Sequence, residues 1–409
     1  MSFESFEFDS AIASNLAALG FTTPTPIQRK TMGPILQRRD LMGLAQTGTG
    51  KTAAYALPVL QLLLKGPRHH ARALVVVPTR ELADQVYDVF SKLGEKTGLY
   101  HCSIYGGVNI SPQIQKLKRG PEIIIACPGR LLDHLGRRSA NLAKTEILVL
   151  DEADRMFDMG FLPDIKKILK FLPKERQTLL FSATMPDDIR KLAHEILVNP
   201  LTVQIEHSTP PATVTHALYP VAHQQHKTPL TLALLKHIDR ESVLIFTRTK
   251  RRTEKLAKQL SGAGHKVTSL QGNLSQNKRK SAMEGFRDGT YHIMVATDIA
   301  SRGLDVSSIS HVINYDIPNH EDDYIHRIGR TGRAAKTGDA FTLIVPEDEV
   351  MVRSIERRLH ARLERRTLEG FDYKAEIRLP QAHHGHRPQA TPANQARRSF
   401  GSRRSRSSR

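Results

Sequence analysis

Short runs of Val, Ile and Leu recur along most of the chain, each followed by a Gly, Pro or Thr turn and then by helical spacing of apolar positions. That order predicts parallel strands joined by helices, because a strand covered on both faces carries no polar side. In the first half the candidate strands are a short run opening at Leu41, then Ala73 to Val77, Glu122 to Ala126, Ile147 to Leu150 and Thr178 to Phe181. The second half repeats the scheme with Ser242 to Phe246, Lys266 to Leu270, His292 to Ala296, His311 to Asn314 and Ala340 to Val345. Between them, Asn199 to Lys227 holds Pro200, Pro210, Pro211 and Pro220 without sustained periodicity. The expectation is an α/β protein with a first domain at 1–205, a linker at 206–227, a second domain at 228–370 and a tail at 371–409.

Composition changes this picture in two places. Sixty Lys and Arg against 41 Asp and Glu leave +19, and the segment Pro380 to Arg409 carries seven Arg and no acids. Rich also in Ser, Gln, Ala and Pro, that segment reads as disordered, and the remaining body is moderately basic, which points to a polyanionic partner. Cysteine occurs only at Cys102 and Cys127, which excludes a disulfide framework and a Cys-rich zinc module. The longest apolar stretch, Ala53 to Leu64, is interrupted by Pro58 and Gln61 and is too short to span a bilayer. The N-terminal residues carry acids and no signal-like apolar segment, so the expected setting is cytoplasmic with no membrane.

Candidate chemistry begins where the run from Leu41 turns on Ala45, Gln46, Thr47, Gly48, Thr49 and Gly50 and leaves through Lys51 and Thr52 into a helical start. Glycines let backbone N–H groups approach a phosphate, the helix N-terminus adds its dipole, Lys51 reaches the β- and γ-phosphates, and the Thr52 hydroxyl suits Mg²⁺. The plain signature opens with Gly where Ala45 stands, so this is a variant of it. A carboxylate at a neighbouring strand end would complete the site. The strand Ile147 to Leu150 delivers Asp151, Glu152, Ala153 and Asp154. Asp151 would hold the metal, and Glu152 would orient or deprotonate a water attacking ATP.

With these elements, the series resembles the DEAD-box RNA helicases of superfamily 2 from Phe3 to about Val345. The resemblance implies two tandem RecA-like parallel-sheet domains and an ATP-dependent RNA helicase. Gly20 to Gln28 looks like the family's Q motif, with Gln28 reading the adenine edge and Phe3, seventeen positions before Gly20, stacking on the base beside Phe21. An amide suits that task because it donates and accepts together. Pro78, Thr79 and Arg80, then Gly106-Gly107, then Cys127-Pro-Gly129-Arg130 resemble the family's contacts to the RNA backbone. Hydroxyl, guanidinium and free N–H groups at helix starts bind phosphate without reading bases. The family usually has Thr where Cys127 stands, and a thiol is the poorer donor. Ser182-Ala-Thr184 looks like the motif that couples hydrolysis to strand separation.

The second half has neither a phosphate loop nor a carboxylate pair. By the resemblance, Arg248, Gly272, Asn273 and Thr297 would face RNA, while Gly303 and Asp305 would face the nucleotide. Tyr324 to Arg333 places His326, Arg327, Arg330 and Arg333 within eight residues. Arg330 and Arg333 would act as fingers on the γ-phosphoryl. His326 and Arg327 would tie the domains together, the former through the carboxylates near Asp154.

The implied activity is RNA-dependent ATP hydrolysis with local unwinding of short duplexes or remodelling of RNA–protein complexes. ATP and RNA would each contact both domains and favour closure. The lead into the first domain, the compact core and the basic tail look most like the bacterial RhlE-type branch, which suggests ribosome assembly or RNA turnover, with pre-ribosomal particles or RNA-decay proteins as partners and a monomeric core. A DNA-dependent member of the superfamily and a non-catalytic RNA clamp or annealing chaperone stay open as alternatives. Met351 to Arg366 could pack on the second domain or extend the RNA surface. The tail is expected to tether RNA without base readout. Deleting Pro380 to Arg409 should flatten the salt dependence of RNA binding by at most about 5 log units per log unit of salt, at about 0.7 per neutralised single-strand phosphate. An unchanged slope contradicts the tether.

Overall fold

The computed structural model describes residues 2–46, 48–205, 214–238, 242–298, 309–332 and 337–374. Fourteen strands run through them: β1 Leu41–Leu44, β2 Ala73–Val76, β3 His101–Ile104, β4 Ile123–Ala126, β5 Ile147–Leu150, β6 Gln177–Ser182, β7 Leu201–Gln204, β8 Val214–Pro220, β9 Val243–Phe246, β10 Val267–Leu270, β11 Ile293–Ala296, β12 His311–Asn314, β13 Gly338–Ile344 and β14 Glu364–Arg365. They form two sheets, ordered β3-β4-β2-β5-β6-β1-β7 and β10-β11-β9-β12-β13-β8-β14. Every pairing is parallel.

The central strands β2, β4, β5, β9, β11 and β12 are buried at every position, which follows from helices covering both faces. Successive side chains of one strand enter opposite clusters. Thus Val75 and Ile125 join the cluster containing Tyr55 and Phe181, while Leu74 and Ile124 join that containing Met156 and Ile189. The second sheet divides likewise, with Leu244 and Phe246 on one side and Val243 and Ile245 on the other.

The proline-marked linker proves shorter than expected. Val214–Pro220 is a strand of the second sheet, paired with β13 along its whole length, and its one proline stands at the last position. The segment 206–213 lies outside the described residues. β3 and β7 also went unmarked in the sequence, because their polar residues break the apolar run: Ser103 in β3, Thr202 and Gln204 in β7. At the far end, Phe371 and Tyr373 pack against the second core, edge to face at 4.8 Å, and the Tyr373 hydroxyl accepts the Leu368 N–H at 2.8 Å. The globular part therefore runs past residue 370, and the rest of the tail lies outside the described residues. Helix Glu349–Leu359 buries Val352, Ile355 and Leu359 in the second core, so this part of the Arg-rich segment packs on that lobe. No helix among the described residues is long and apolar enough to cross a membrane.

Candidate functional site

Strand order puts the candidate groups at the carboxyl edges of the sheets. In the first sheet β5, β6 and β1 are neighbours, so Asp151, Ser182 and the glycine loop leave adjacent strand ends. The other half, β3-β4-β2, presents Gly107, Cys127 to Arg130 and Pro78 to Arg80.

In the glycine loop, Gly48 and Gly50 both take φ of 90°, a left-handed backbone open to residues without Cβ. Gly50 caps helix Lys51–Leu63. The buried Lys51 ammonium folds back to the Ala45 carbonyl at 2.8 Å, and Thr49 closes the loop on the Gln46 carbonyl at 2.7 Å. Thr47 lies outside the described residues. Gln28 is only 2% exposed. Its oxygen accepts the Thr25 N–H at 2.9 Å and its nitrogen donates to the Gly50 carbonyl at 3.1 Å. The amide expected to face an adenine is thus bonded first to the loop, and a Cβ on Gly50 would sit 2.5 Å from its nitrogen. The two aromatics also differ from expectation. Phe3 is 7% exposed within the core, whereas Phe21, 37% exposed, meets it edge-on at 6.0 Å and presents the accessible ring.

The four-residue acidic string is organised by burial. Asp151 accepts the Tyr55 hydroxyl at 2.9 Å and the Glu152 N–H at 2.9 Å. Burial pushes its carboxyl up to about 6, Lys51 pulling against this and Glu152 adding to it. Burial and the Asp151 charge raise the Tyr55 phenol as well. Glu152 has φ 52 and ψ 51, and its carboxylate pairs with Arg155 at 2.7 Å. Asp154 Oδ2 accepts the Ala183 N–H at 3.1 Å, the Thr184 N–H at 2.8 Å and the Thr184 hydroxyl at 3.1 Å, while Oδ1 accepts the Arg155 N–H at 3.0 Å. The Ser182 hydroxyl accepts the Asp154 N–H at 3.1 Å and donates to the Thr184 carbonyl at 2.7 Å, and the Ser182 carbonyl accepts the Ala45 N–H at 3.0 Å. One network therefore connects the acidic string, the strand end of β6 and the glycine loop. Burial alone would raise the Asp154 carboxyl; Lys51, His326 and Arg155 hold it below the ordinary range.

His326 belongs to the second lobe, on helix Glu321–Ile328. Burial and the Arg155 charge push its imidazole down to about 3, against the pull of Asp154. It therefore sits close enough to Asp154 and Arg155 to feel both charges. Arg327 points elsewhere. It grips Asp298 with two bonds of 2.6 and 2.7 Å, donates to Asn314 and to the Asp316 carbonyl, and lies 4.9 Å over the Phe246 ring, all within the second lobe. Consecutive helical residues point about 100° apart, so one faces the first lobe and the next its own sheet. Arg330 is buried on the same boundary. Gly303, Asp305 and Arg333 lie outside the described residues.

A second cleft, of about 640 Å³, is lined from the first lobe by Pro78, Thr79, Arg80, Gly107, Gly129 and Arg130 and from the second by Gly272. These six first-lobe residues, each expected to contact a backbone, therefore share one cavity. Gly107, at φ 77, leaves room only for the Arg80 guanidinium, which a Cβ would strike. Arg248, Asn273 and Thr297 follow β9, β10 and β11, which are neighbours. Arg248 and Asn273 are exposed, whereas Thr297 is 9% exposed at its strand end. The Cys127 thiol is buried, makes no cap to its helix, and is pushed up to about 12 by burial, so it stays a neutral thiol. Across this cleft Arg279 pairs with Glu81 at 2.8 Å and Arg80 donates to Gln276 at 3.3 Å. These lobe-spanning residues were not foreseen, since a Gln and an Arg three apart on a helix are an ordinary surface pattern.

Residues 25–192 match the family described as DEAD/DEAH box helicase, and residues 226–335 match the helicase conserved C-terminal domain. Over 362 residues the chain is 42% identical to the ATP-dependent RNA helicase CshA of Listeria monocytogenes, covering 88% of this chain and 69% of that protein. The DEAD-box ATP-dependent RNA helicase RhpA of Helicobacter pylori is 43% identical over 346 residues, 84% of this chain and 70% of its own. Among solved structures, S. cerevisiae Dbp5 bound to RNA and ADP BeF3 is similar with a TM-score of 0.79 at 28% identity, covering 90% of this chain and 95% of that one.

The Asp154 network yields a direct test. An Asp154→Asn amide can accept at only one of the two oxygen positions, so a buried donor faces another donor. The expected loss is about 1–3 kcal/mol of first-lobe stability, with faster hydrogen exchange at Ala183 and Thr184 or at Arg155. Unchanged exchange at all three amides contradicts the assignment.

Proposed function

Since the chain belongs to the DEAD-box ATP-dependent RNA helicases, we propose that ATP binds at the glycine loop while one RNA strand lies in the second cleft, and that lobe closure couples the two. The observation that carries this reading is the Asp154 carboxylate. It receives the Ala183 and Thr184 donors from inside the first lobe and faces His326 of the second.

In this reading Phe21 supplies the accessible ring for the base, with Phe3 behind it, and Gln28 uses its remaining amide hydrogen and lone pair toward adenine. Residues 45 to 50 wrap the phosphates, and Lys51 leaves the Ala45 carbonyl for the β- and γ-phosphates. Thr52 and Asp151, with Tyr55 beside them, make an all-oxygen donor set around a buried carboxylate, which fits Mg²⁺. When bound, the ion neutralises charge on the phosphate oxygens. Glu152 orients the attacking water and takes up its proton. Arg330 and Arg333 approach the γ-phosphoryl from the second lobe, and Gly303 and Asp305 complete the nucleotide's surroundings.

RNA phosphates and sugars meet Pro78, Thr79, Arg80, Gly107, Gly129 and Arg130 on one side, and Arg248, Gly272, Asn273 and Thr297 on the other. These contacts go to phosphate and sugar, so binding is independent of sequence. Closing on one strand in a shape that a duplex cannot follow separates short duplexes locally, and loss of the γ-phosphate reopens the lobes. The setting we assign is ribosome assembly or RNA turnover in a bacterial cytoplasm, by a monomeric core meeting pre-ribosomal particles or RNA-decay proteins. The bacterial relatives and the basic tail support it, and the tail and compact core also favour the RhlE-type branch.

Steady-state ATP hydrolysis by the full chain, with and without single-stranded RNA, tests the reading. RNA is expected to stimulate the rate, and Glu152→Gln to reduce it by about 10²-fold or more. Stimulation by DNA but not RNA would move the assignment to a DNA-dependent enzyme. RNA binding without hydrolysis would make it a clamp.

A further inference from the structure

One buried cation outside the groups assigned above stands between Glu152 and the second lobe. Arg155 lies three residues after Glu152, and its Nη1 donates to Glu152 Oε2 at 2.7 Å, with both side chains 5% exposed. The left-handed backbone of Glu152, at φ 52, is disfavoured for a residue with a Cβ, so the surrounding structure must hold it there. The Arg155 ion pair is part of that restraint.

A guanidinium carries five N–H donors in a rigid fork, and the bond to Glu152 uses one of them. Arg155 also lines a cavity of about 20 Å³ together with Asp323, His326 and Arg330 of the second lobe. Burial works against the charge on Arg155, and the carboxylates of Glu152, Asp154 and Asp323 more than offset it. Three carboxylates thus share one cation, and one of the three is brought by the second lobe. A lysine would supply the charge without the planar fork, and could not serve several partners in fixed directions.

We infer that Arg155 is a positioning residue that makes the orientation of Glu152 depend on lobe closure: its guanidinium holds Glu152 from within the first lobe, and Asp323 steadies that guanidinium from across the boundary. This rests on the reading of Glu152 as the group that orients water. With the lobes apart, Arg155 is fixed by first-lobe carboxylates alone and Glu152 loses its outer support. Closure then acts on the hydrolytic step itself, separately from the phosphate contacts of Arg330, and the effect belongs to kcat rather than to binding.

The test compares Arg155→Lys, Asp323→Asn and the double variant in the full chain. The readouts are RNA-stimulated kcat, KM for ATP, and single-stranded RNA affinity in AMP-PNP. Arg155→Lys should lower kcat by about 10²-fold, the scale of an ångström-sized misplacement, while KM and RNA affinity stay within about twofold. Asp323→Asn should lower kcat in the same sense. The double variant should be no slower than Arg155→Lys by more than about twofold, because in this proposal Asp323 acts through Arg155. A kcat near that of the parent in Arg155→Lys overturns the inference, as do effects that multiply in the double variant or losses shared equally by kcat and AMP-PNP binding. If Arg155→Lys does not fold, an unchanged kcat in Asp323→Asn overturns it alone. Glu152→Gln separates the two levels: full activity there removes the reading of Glu152, whereas its loss beside a normal Arg155→Lys removes only the role of Arg155.

Discussion

The carboxylate of Asp154 is the point on which the architecture of this site converges. An ionised group with so little exposure persists only when its lone pairs are occupied by donors and its charge is balanced. Here four donors from Arg155, Ala183 and Thr184 occupy it, and Lys51, His326 and Arg155 balance it. These residues come from four structural sources: the glycine loop, the helix that follows the acidic string, the strand end of β6, and the second lobe. A displacement of any one changes the balance felt by the rest. That is a physical route by which the glycine loop and the position of the second lobe inform each other.

Strand order explains why the two proposed ligand sites lie on one sheet. The carboxyl edge of the first sheet is divided between β5-β6-β1, which carries the glycine loop and the acidic string, and β3-β4-β2, which lines the larger cleft. The second lobe meets both. His326 and Arg330 lie by the acidic string, whereas Gln276 and Arg279 lie on the other half, where Arg279 pairs with Glu81. A rigid lobe that touches both halves cannot engage one without approaching the other.

Much of this was legible in the sequence, and the reasons differ by element. Strands buried on both faces, such as Ile147–Leu150, stand out as uninterrupted apolar runs, and Gly48, Gly50 and Lys51 stand out because few backbones need that spacing. β8 did not, since Pro220 suggested a break where it marks only the last paired residue. Phe3 resembled a base-stacking ring, yet the fold uses it as core behind Phe21. Arg327 was expected to tie the domains together with His326; one helical step turns it onto Asp298 instead. Arg155 and Arg279 carry no signal that separates them from the many surface arginines of a basic chain, and only the packing of the lobes gives them partners.

The central claim is that nucleotide and RNA share one closed arrangement of the lobes, and reciprocity makes it measurable. The affinity of the full chain for single-stranded RNA is measured with and without saturating AMP-PNP, and its affinity for AMP-PNP with and without saturating RNA. Both affinities should rise, by the same factor within error, on the order of 10-fold or more. RNA affinity that is indifferent to AMP-PNP would contradict the account, because two ligands that close the same lobes cannot bind independently.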